Sequence, residues 1–400
     1  MQARNTPTAP PHARPFLAPG RVRFGLGSSA ATADELAAAG IRPGDGRVVL
    51  VADAVILELD LAAPLIRSLE AAGYELDVRP GVAAEPTPDA VAGLVPASPG
   101  SVAVVGVGGG SALDAAKLTA LAISNEVDLH GGLSADREVA PAPPLVAIPT
   151  TAGTGAEVTP VAMLWDRGRK VIFVHGALVP RVALLDPDLL ASLPPGATAA
   201  GGLDAISHAV ESLLSTFSTP LTEAAARSAL AQLVAGVPAA YASGSREARE
   251  ATLLGAHQAG LALNASVVLG HSLAYAIAAE AQLSHGISCA MALPYCLAHC
   301  RPVAEPRIAE IAEIVCGPGA AALDLVEWLT ATNAALGIPE SLEAVGIGAD
   351  ALDRIARACV EDYPRPNHPR PIELDSVRAL LEDFEAGDAA SAWRREAVAA

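Results

Sequence analysis

Positive charge is scarce in this chain. Lys and Arg number 26 against 44 Asp and Glu in 400 residues, a formal net charge of −18. Nucleic acid and anionic membrane surfaces are gripped by clustered Lys and Arg, so this balance argues against both and leaves a small solute as the expected partner. Cysteine is scarce too: Cys289, Cys296, Cys300, Cys316 and Cys359 are odd in number, fall in the last third of the chain and form no CxxC pair. Such usage suits a reducing cytoplasm rather than a disulfide framework. Aromatics make up only 3%, and the mean hydropathy of +0.38 reflects small apolar residues, alanine above all.

No apolar stretch follows Arg4 and Arg14 in the Pro-rich, polar segment Met1 to Pro19, so residues 1–20 read as a disordered tail rather than a signal peptide. Ala251 to Ala279 carries no Asp, Glu, Lys or Arg, and it is longer than the ~20 residues that cross a bilayer. His257, Gln258, Asn264, His271 and Ser272 interrupt it. In lipid these groups would cost on the order of several kcal/mol, so buried helices and no membrane span are expected.

The 52% hydrophobic content and the length allow two domains that share one cleft. Arg47 to Ala52 (RVVLVA) and Val102 to Val105 read as buried parallel strands, Arg21 to Phe24 and Glu75 to Arg79 as further strands. Helical spacing marks Leu61 to Tyr74, Pro88 to Leu94 and Ala112 to Ser124. This alternation predicts a doubly wound α/β, dinucleotide-binding domain over 21–190. From Leu145 to Leu185 strands dominate, with Asp166, Arg167 and Gly168 as a turn between Val158 to Trp165 and Lys170 to Val174. Beyond a boundary at Asp186 to Pro195, Ala- and Leu-rich segments predict an all-helical domain over 191–400.

Two loops carry the chemistry of the first domain. In VAVVGVGGGSALDAAK a buried strand leads through Gly106, Gly108, Gly109, Gly110 and Ser111 into a helix whose Asp114 is counted with Gly108 to Ser111 among the cofactor-binding residues. Glycines admit a close backbone approach, and the helix start offers free N–H groups to a pyrophosphate. The spacing is not the usual dinucleotide fingerprint, and a plain Gly-rich turn would look the same. The second loop, PTTAGTGAEVT, follows an apolar strand and holds Thr150, Thr151 and Thr154, whose hydroxyls suit phosphate and ribose oxygens. Two such loops at strand ends of one domain favour a dinucleotide. Asp53 ends the strand Val48 to Ala52; a carboxylate there suits ribose hydroxyls and favours NAD over NADP, while a helix N-cap would fit the same position.

In GLDAISHAVES, Asp204 and His208 stand four apart and share a helix face. Alone the pair would read as a salt bridge or a core histidine. His271 and His285 add two imidazoles from the uncharged region, and one Asp with three His, without a thiolate, suits Fe²⁺ or Zn²⁺. A divalent ion with an open position would act as a Lewis acid toward an alcohol or aldehyde. Cys289, Cys296 and Cys300 with His299 could mimic a zinc site, but an apolar helix with buried thiols is the preferred reading. His12, His130, His175, His257, His299 and His368 lack partner spacing and are taken as structural or exposed.

These motifs, together with GHSLAY, SHGISCAMALP and the C-terminal NHPRP at Asn367 to Pro371, make the chain resemble the iron-containing alcohol dehydrogenase family from Arg21 onward. The resemblance implies an N-terminal dinucleotide-binding domain and a C-terminal all-helical domain of the dehydroquinate synthase-like fold, with a metal in the cleft between them. It implies Asp204, His208, His271 and His285 as ligands, Gly108, Gly109, Gly110 and Ser111 at the pyrophosphate, Thr150, Thr151 and Thr154 along the cofactor, Lys170 near the ribose, and a homodimer. Many relatives carry a second histidine four residues after the third ligand, assigned to proton relay; here that position is Tyr275. A tyrosine hydroxyl, with its pKa near ~10, is a poorer shuttle. Maleylacetate reductases resemble this chain but carry Asn at the first ligand position; Asp204 favours a metal. Besides an alcohol dehydrogenase or aldehyde reductase, the readings kept open are a keto-acid or phosphonoacetaldehyde-type reductase, a lyase resembling dehydroquinate synthase, whose phosphorylated acid would need a more basic pocket, and a non-catalytic scaffold.

Overall fold

Continuous β-branched runs belong in the middle of a parallel sheet, where both faces are covered, and the computed structural model puts them there. It describes residues 14–80, 85–97 and 99–398. The strands are β1 (Arg21–Phe24), β2 (Arg47–Ala52), β3 (Glu75–Pro80), β4 (Ser101–Gly108), β5 (Leu145–Pro149), β6 (Val161–Asp166), β7 (Arg169–Val174) and β8 (Val182–Leu185). Six of them form one parallel sheet in the order β1-β8-β5-β4-β2-β3. β6 and β7 make a separate antiparallel hairpin, closed by left-handed backbone at Arg167 (φ 50°) and Gly168 (φ 82°), as a two-residue hairpin turn requires. Strand β6 begins at Val161 rather than Val158 because the preceding residues stay in the threonine loop.

Alternation along β2 feeds two cores. Val48, Leu50 and Ala52 pack with Leu36, Leu65 and Leu69, and Val49 and Val51 with Leu118, Leu121 and Phe173. Helices α1 (Thr32–Ala38), α2 (Ala54–Glu58), α3 (Ala63–Ala71), α4 (Pro88–Leu94) and α5 (Gly110–Ser124) complete the sheet region. The chain leaves β2 toward β3 on one side and returns to β4 on the other. This reversal opens a crevice at the carboxyl ends of β2 and β4, the place where doubly wound sheets bind nucleotides.

After β8 the chain is helical: α6 (Pro195–Leu214), α7 (Pro220–Ser243), α8 (Arg246–Ala262), α9 (Leu269–Ala281), α10 (His285–Cys316), α11 (Ala322–Ala335), α12 (Ala349–Glu361), α13 (Leu374–Ala386) and α14 (Ala389–Val398). α6 is buried without interruption from Gly202 to Leu214 and is the axis of this half. The uncharged stretch is divided between α8 and α9, which meet at 108° across a break containing Ser266 (φ 62°). Among the described residues no single helix is long and apolar enough to cross a membrane. α10 runs 32 residues through Pro294, Pro302 and Pro306.

Part of the expected tail is held in place. Residues 1–13 lie outside the described residues, but the Leu17 N–H donates to Asn264 Oδ1 at 2.7 Å and Asn264 Nδ2 donates to the Leu17 carbonyl at 2.9 Å. The Arg14 guanidinium sits 3.3 Å from the Phe217 ring centroid. These partners lie some 200 residues away and leave no mark on the tail's own composition.

Candidate active site

Strand ends assemble the candidate cofactor cleft. Asp53 leaves β2 and its Oδ2 accepts the Gly109 N–H at 2.9 Å. Although Asp53 occupies the N-cap position of α2, its side chain makes no cap hydrogen bond, so the bond to the glycine loop is the one realised. Burial raises the Asp53 carboxyl and the Gly109 N–H opposes this. A Cβ on Gly108 would lie 2.5 Å from Asp53 Oδ2, so only glycine lets the two strand ends close. No side chain caps α5, which leaves its first-turn N–H groups facing the crevice. The second loop converges on the first: a Cβ on Gly110 would meet Thr154 Cγ2 at 2.7 Å, and one on Gly109 would meet Thr151 Cγ2 at 3.4 Å. The Thr150 N–H donates to the Gly108 carbonyl at 3.0 Å. Lys170 pairs with Glu85, and the Glu85 N–H reaches Ser111 Oγ at 3.4 Å, which sets both at the same mouth. Asp114 turns away from the glycine loop, and its Oδ2 accepts the Met163 N–H of β6 at 3.0 Å.

The second loop also joins the two halves of the molecule. Gly155 (φ +64°) lies so close to α8 that a Cβ would meet Gly260 Cα at 2.6 Å. A Cβ on Gly153 would meet Gly201 Cα of α6 at 2.7 Å. Glu157 and His257 of α8 form a buried pair at 3.0 Å. Lys117 Nζ, buried, donates to the Thr159 and Val161 carbonyls at 2.9 and 2.7 Å and fixes the far end of the loop. Much of the glycine in this motif therefore serves packing against helices.

Those contacts bring the cleft next to a carboxylate among imidazoles. Asp204 Oδ1 lies 3.5 Å from His208 Nε2, 3.7 Å from His271 Nε2 and 3.7 Å from His285 Nε2. It is buried and has no hydrogen-bond partner, since these separations exceed a good hydrogen bond. The histidines come from three helices: α6, the first turn of α9 and the first residue of α10. A Cβ on Gly286 would strike the Ala200 carbonyl at 2.2 Å, so glycine after His285 is what lets α10 approach α6. Burial pushes the Asp204 carboxyl up, but His208, His285 and His271 outweigh it and hold it well below the usual carboxylate range. Burial lowers His208 and brings His285 down to about 3, which favours the neutral, ligating imidazole. His271 is pulled the other way: burial lowers it, yet Cys289, Glu211 and Asp204 together raise it.

Two neighbours escaped the sequence reading. Glu211, three residues beyond His208, places Oε1 against His271 Nδ1, and its Oε2 accepts the Val268 N–H at 2.7 Å and the His271 N–H at 3.3 Å. One carboxylate thereby orients a candidate ligand and caps α9, whose own N-cap residue makes no side-chain bond. Glu211 stood in the GLDAISHAVES motif, but its partners are some 60 residues away. The other neighbour is Cys289, with Sγ 3.5 Å from His285 Nε2 and 3.7 Å from His271 Nε2. Its spacing of four from His285 on one helix was the available signal. The donor atoms that all lie within 4.8 Å of one another belong to Asp204, His271, His285 and Cys289, a set that does not include His208.

Tyr275 lies over this cluster, stacked on His285 with ring centroids 5.2 Å apart, and its hydroxyl approaches Met163 Sδ at 3.8 Å. Burial raises its pKa. The remaining described histidines find partners elsewhere: His299 Nδ1 meets His368 Nε2 at 3.0 Å, His130 meets Asp166 at 3.0 Å, and His175 meets the Arg137 carbonyl at 3.0 Å. His12 is outside the described residues.

A doubly wound sheet whose loops lead to buried imidazoles and a carboxylate fits a class, the metal-dependent enzymes that work with a nicotinamide. Within it, this chain belongs to the iron-containing alcohol dehydrogenase family. The model of the iron-containing alcohol dehydrogenase matches residues 19–187, and that of the Fe-containing alcohol dehydrogenase family, C-terminal, matches residues 198–384. The chain is 32% identical over 361 residues to the probable alcohol dehydrogenase EutG of Salmonella typhimurium, covering 89% of this chain and 90% of that one. It is 29% identical over 352 residues to the NAD-dependent methanol dehydrogenase of Bacillus methanolicus, with 85% and 92% covered. Among solved structures, a 1,3-propanediol oxidoreductase superposes with a TM-score of 0.85 at 27% identity, covering 93% of this chain and all of that one. The chain is accordingly a metal-dependent alcohol dehydrogenase or aldehyde reductase.

Proposed function

We propose that this enzyme interconverts a small alcohol and its aldehyde with NAD rather than NADP, using Fe²⁺ or Zn²⁺ held by Asp204, His208, His271 and His285. The observation that carries the reading is the buried Asp204 oxygen, which lacks a hydrogen-bond partner and faces three imidazole nitrogens at 3.5 to 3.7 Å. A buried charge without a partner is costly, and a cation among these donors removes the cost. The bound metal would supply Lewis acidity toward the substrate oxygen and the nicotinamide the hydride.

The chain's own residues set the geometry for that exchange. Gly108 to Ser111 and the start of α5 offer N–H groups to a pyrophosphate. Thr150, Thr151 and Thr154 flank the same crevice, with Lys170 and Glu85 at its mouth. Asp53 keeps one oxygen on the Gly109 N–H and has a second for ribose hydroxyls, where it would repel a 2′-phosphate. Asp114 supports the crevice from below by holding β6. Glu211 keeps His271 in the orientation that points Nε2 at Asp204. Tyr275 would donate a hydrogen bond to a substrate oxygen; with its pKa raised by burial it serves better as a donor than as a proton relay. Relatives named for methanol, lactaldehyde, 1,3-propanediol and long-chain alcohols alike support an alcohol and aldehyde couple without selecting a chain length. Cytoplasmic action fits the free cysteines. A homodimer is supported by β1, an edge strand that exposes Val22 by 47% and Phe24 by 43%.

The experiment is NADH and NADPH oxidation against a panel of short aldehydes, before and after chelation, with His271→Ala beside the wild type. Chelator-sensitive oxidation of NADH, lost together with metal in the variant while NAD binding persists, is the expected result. Undiminished activity in a metal-free His271→Ala variant would refute the reading.

A further inference from the structure

The five cysteines do not share one environment. Cys296, Cys300 and Cys359 pack within the apolar core of the helical half, and Cys316 is exposed. Cys289 is 1% exposed and lies outside that core, against nitrogen donors. It follows His285 by one turn of α10, so the two side chains leave the same face. Donors at the corners of a tetrahedral metal site, with bonds of about 2.0 to 2.3 Å, are separated by about 3.3 to 3.8 Å. Asp204 Oδ1 is 3.7 Å from both His271 Nε2 and His285 Nε2, and Cys289 Sγ is 3.7 and 3.5 Å from the same two atoms. These four edges fall in that range, and all four donor atoms lie within 4.8 Å of one another.

We propose that Cys289 is a metal ligand in this protein, completing a sulfur, nitrogen and oxygen donor set with Asp204, His271 and His285. The inference rests on the proposed metal site and changes its character. A thiol that binds does so as thiolate, its lone pair forming the bond and its proton passing to solvent. A soft sulfur donor favours thiophilic ions such as Zn²⁺ and Co²⁺ over Mg²⁺ or Mn²⁺. His208, 3.5 Å from Asp204 but outside the common set, stays beside these donors as a further nitrogen ligand.

The test uses the full-length protein stripped with chelator and titrated with Co²⁺, followed by absorption. Wild type is expected to show visible ligand-field bands together with a near-ultraviolet thiolate-to-cobalt charge-transfer band. Cys289→Ala should lose the charge-transfer band and keep the visible ones, while Cys316→Ala keeps both. Visible bands without charge transfer in the wild type, or a charge-transfer band that survives Cys289→Ala, would overturn the inference and leave the metal site standing. Absence of any cobalt bands in the wild type would overturn the metal site and the inference with it. Should Cys289→Ala fail to fold, X-ray absorption of the wild-type cobalt protein decides: a sulfur shell near ~2.3 Å supports the ligand, and a shell of nitrogen and oxygen alone refutes it.

Discussion

Glu211 commits its two oxygens to different tasks, one to the His271 ring and one to the start of α9. Glu211→Gln keeps the shape but removes the charge that fixes the ring's tautomer, and metal affinity is expected to fall about 10- to 100-fold. Competition dialysis measures this, with NADH binding as the control that should not move. Asp114 makes a different prediction. Burial raises its pKa to about 6 from an ordinary 3.8, so the folded state holds the proton more tightly than the unfolded one. The stability this adds is complete below the ordinary value and is lost as pH rises through about 6. Asp114→Asn can still accept the Met163 N–H but does not ionise. From pH 5 to pH 7 its stability should therefore gain on the wild type by about 1 kcal/mol in urea unfolding. A difference that does not change with pH would mean that the carboxylate is solvated.

At the scale of elements, the threonine loop is both the proposed cofactor wall and the segment that packs the sheet half against α6 and α8. Gly155→Ala meets left-handed backbone and a Gly260 Cα at 2.6 Å, neither of which can relax cheaply. A loss of about 1 to 3 kcal/mol in stability is expected, with weaker NADH binding by fluorescence titration because Thr150 to Thr154 move with the loop. Sequence made much of this level legible. The runs of β2, β4 and β5 announce buried parallel strands, and Arg167-Gly168 announces the hairpin. Asp204 and His208 share a face by spacing alone, and an uncharged context singles out His271. What stayed hidden depends on distant partners: the role of Glu211, the docking of Leu17 on Asn264, and the glycines that serve helix packing rather than phosphate. Cys289 was set with Cys296 and Cys300 because they are neighbours in sequence, whereas the helix turns it toward His285.

Over the whole molecule, the candidate ligands come from α6, α9 and α10, so an ion bound there ties three helices of one half together beside the loop that joins the other half. Metal binding to the folded state alone adds stability by mass action, about 2.7 kcal/mol at a hundredfold excess over Kd. Chelation should therefore lower the Tm of the wild type and leave that of His271→Ala nearly unchanged in a thermal scan. The most direct measurement is elemental analysis of protein purified without oxygen, beside Asp204→Ala prepared in the same way. The expected result is one iron or zinc ion per chain in the wild type and none in the variant. A wild type that reduces aldehydes with NADH yet contains no metal, or an Asp204→Ala variant that retains a full complement, would contradict the account.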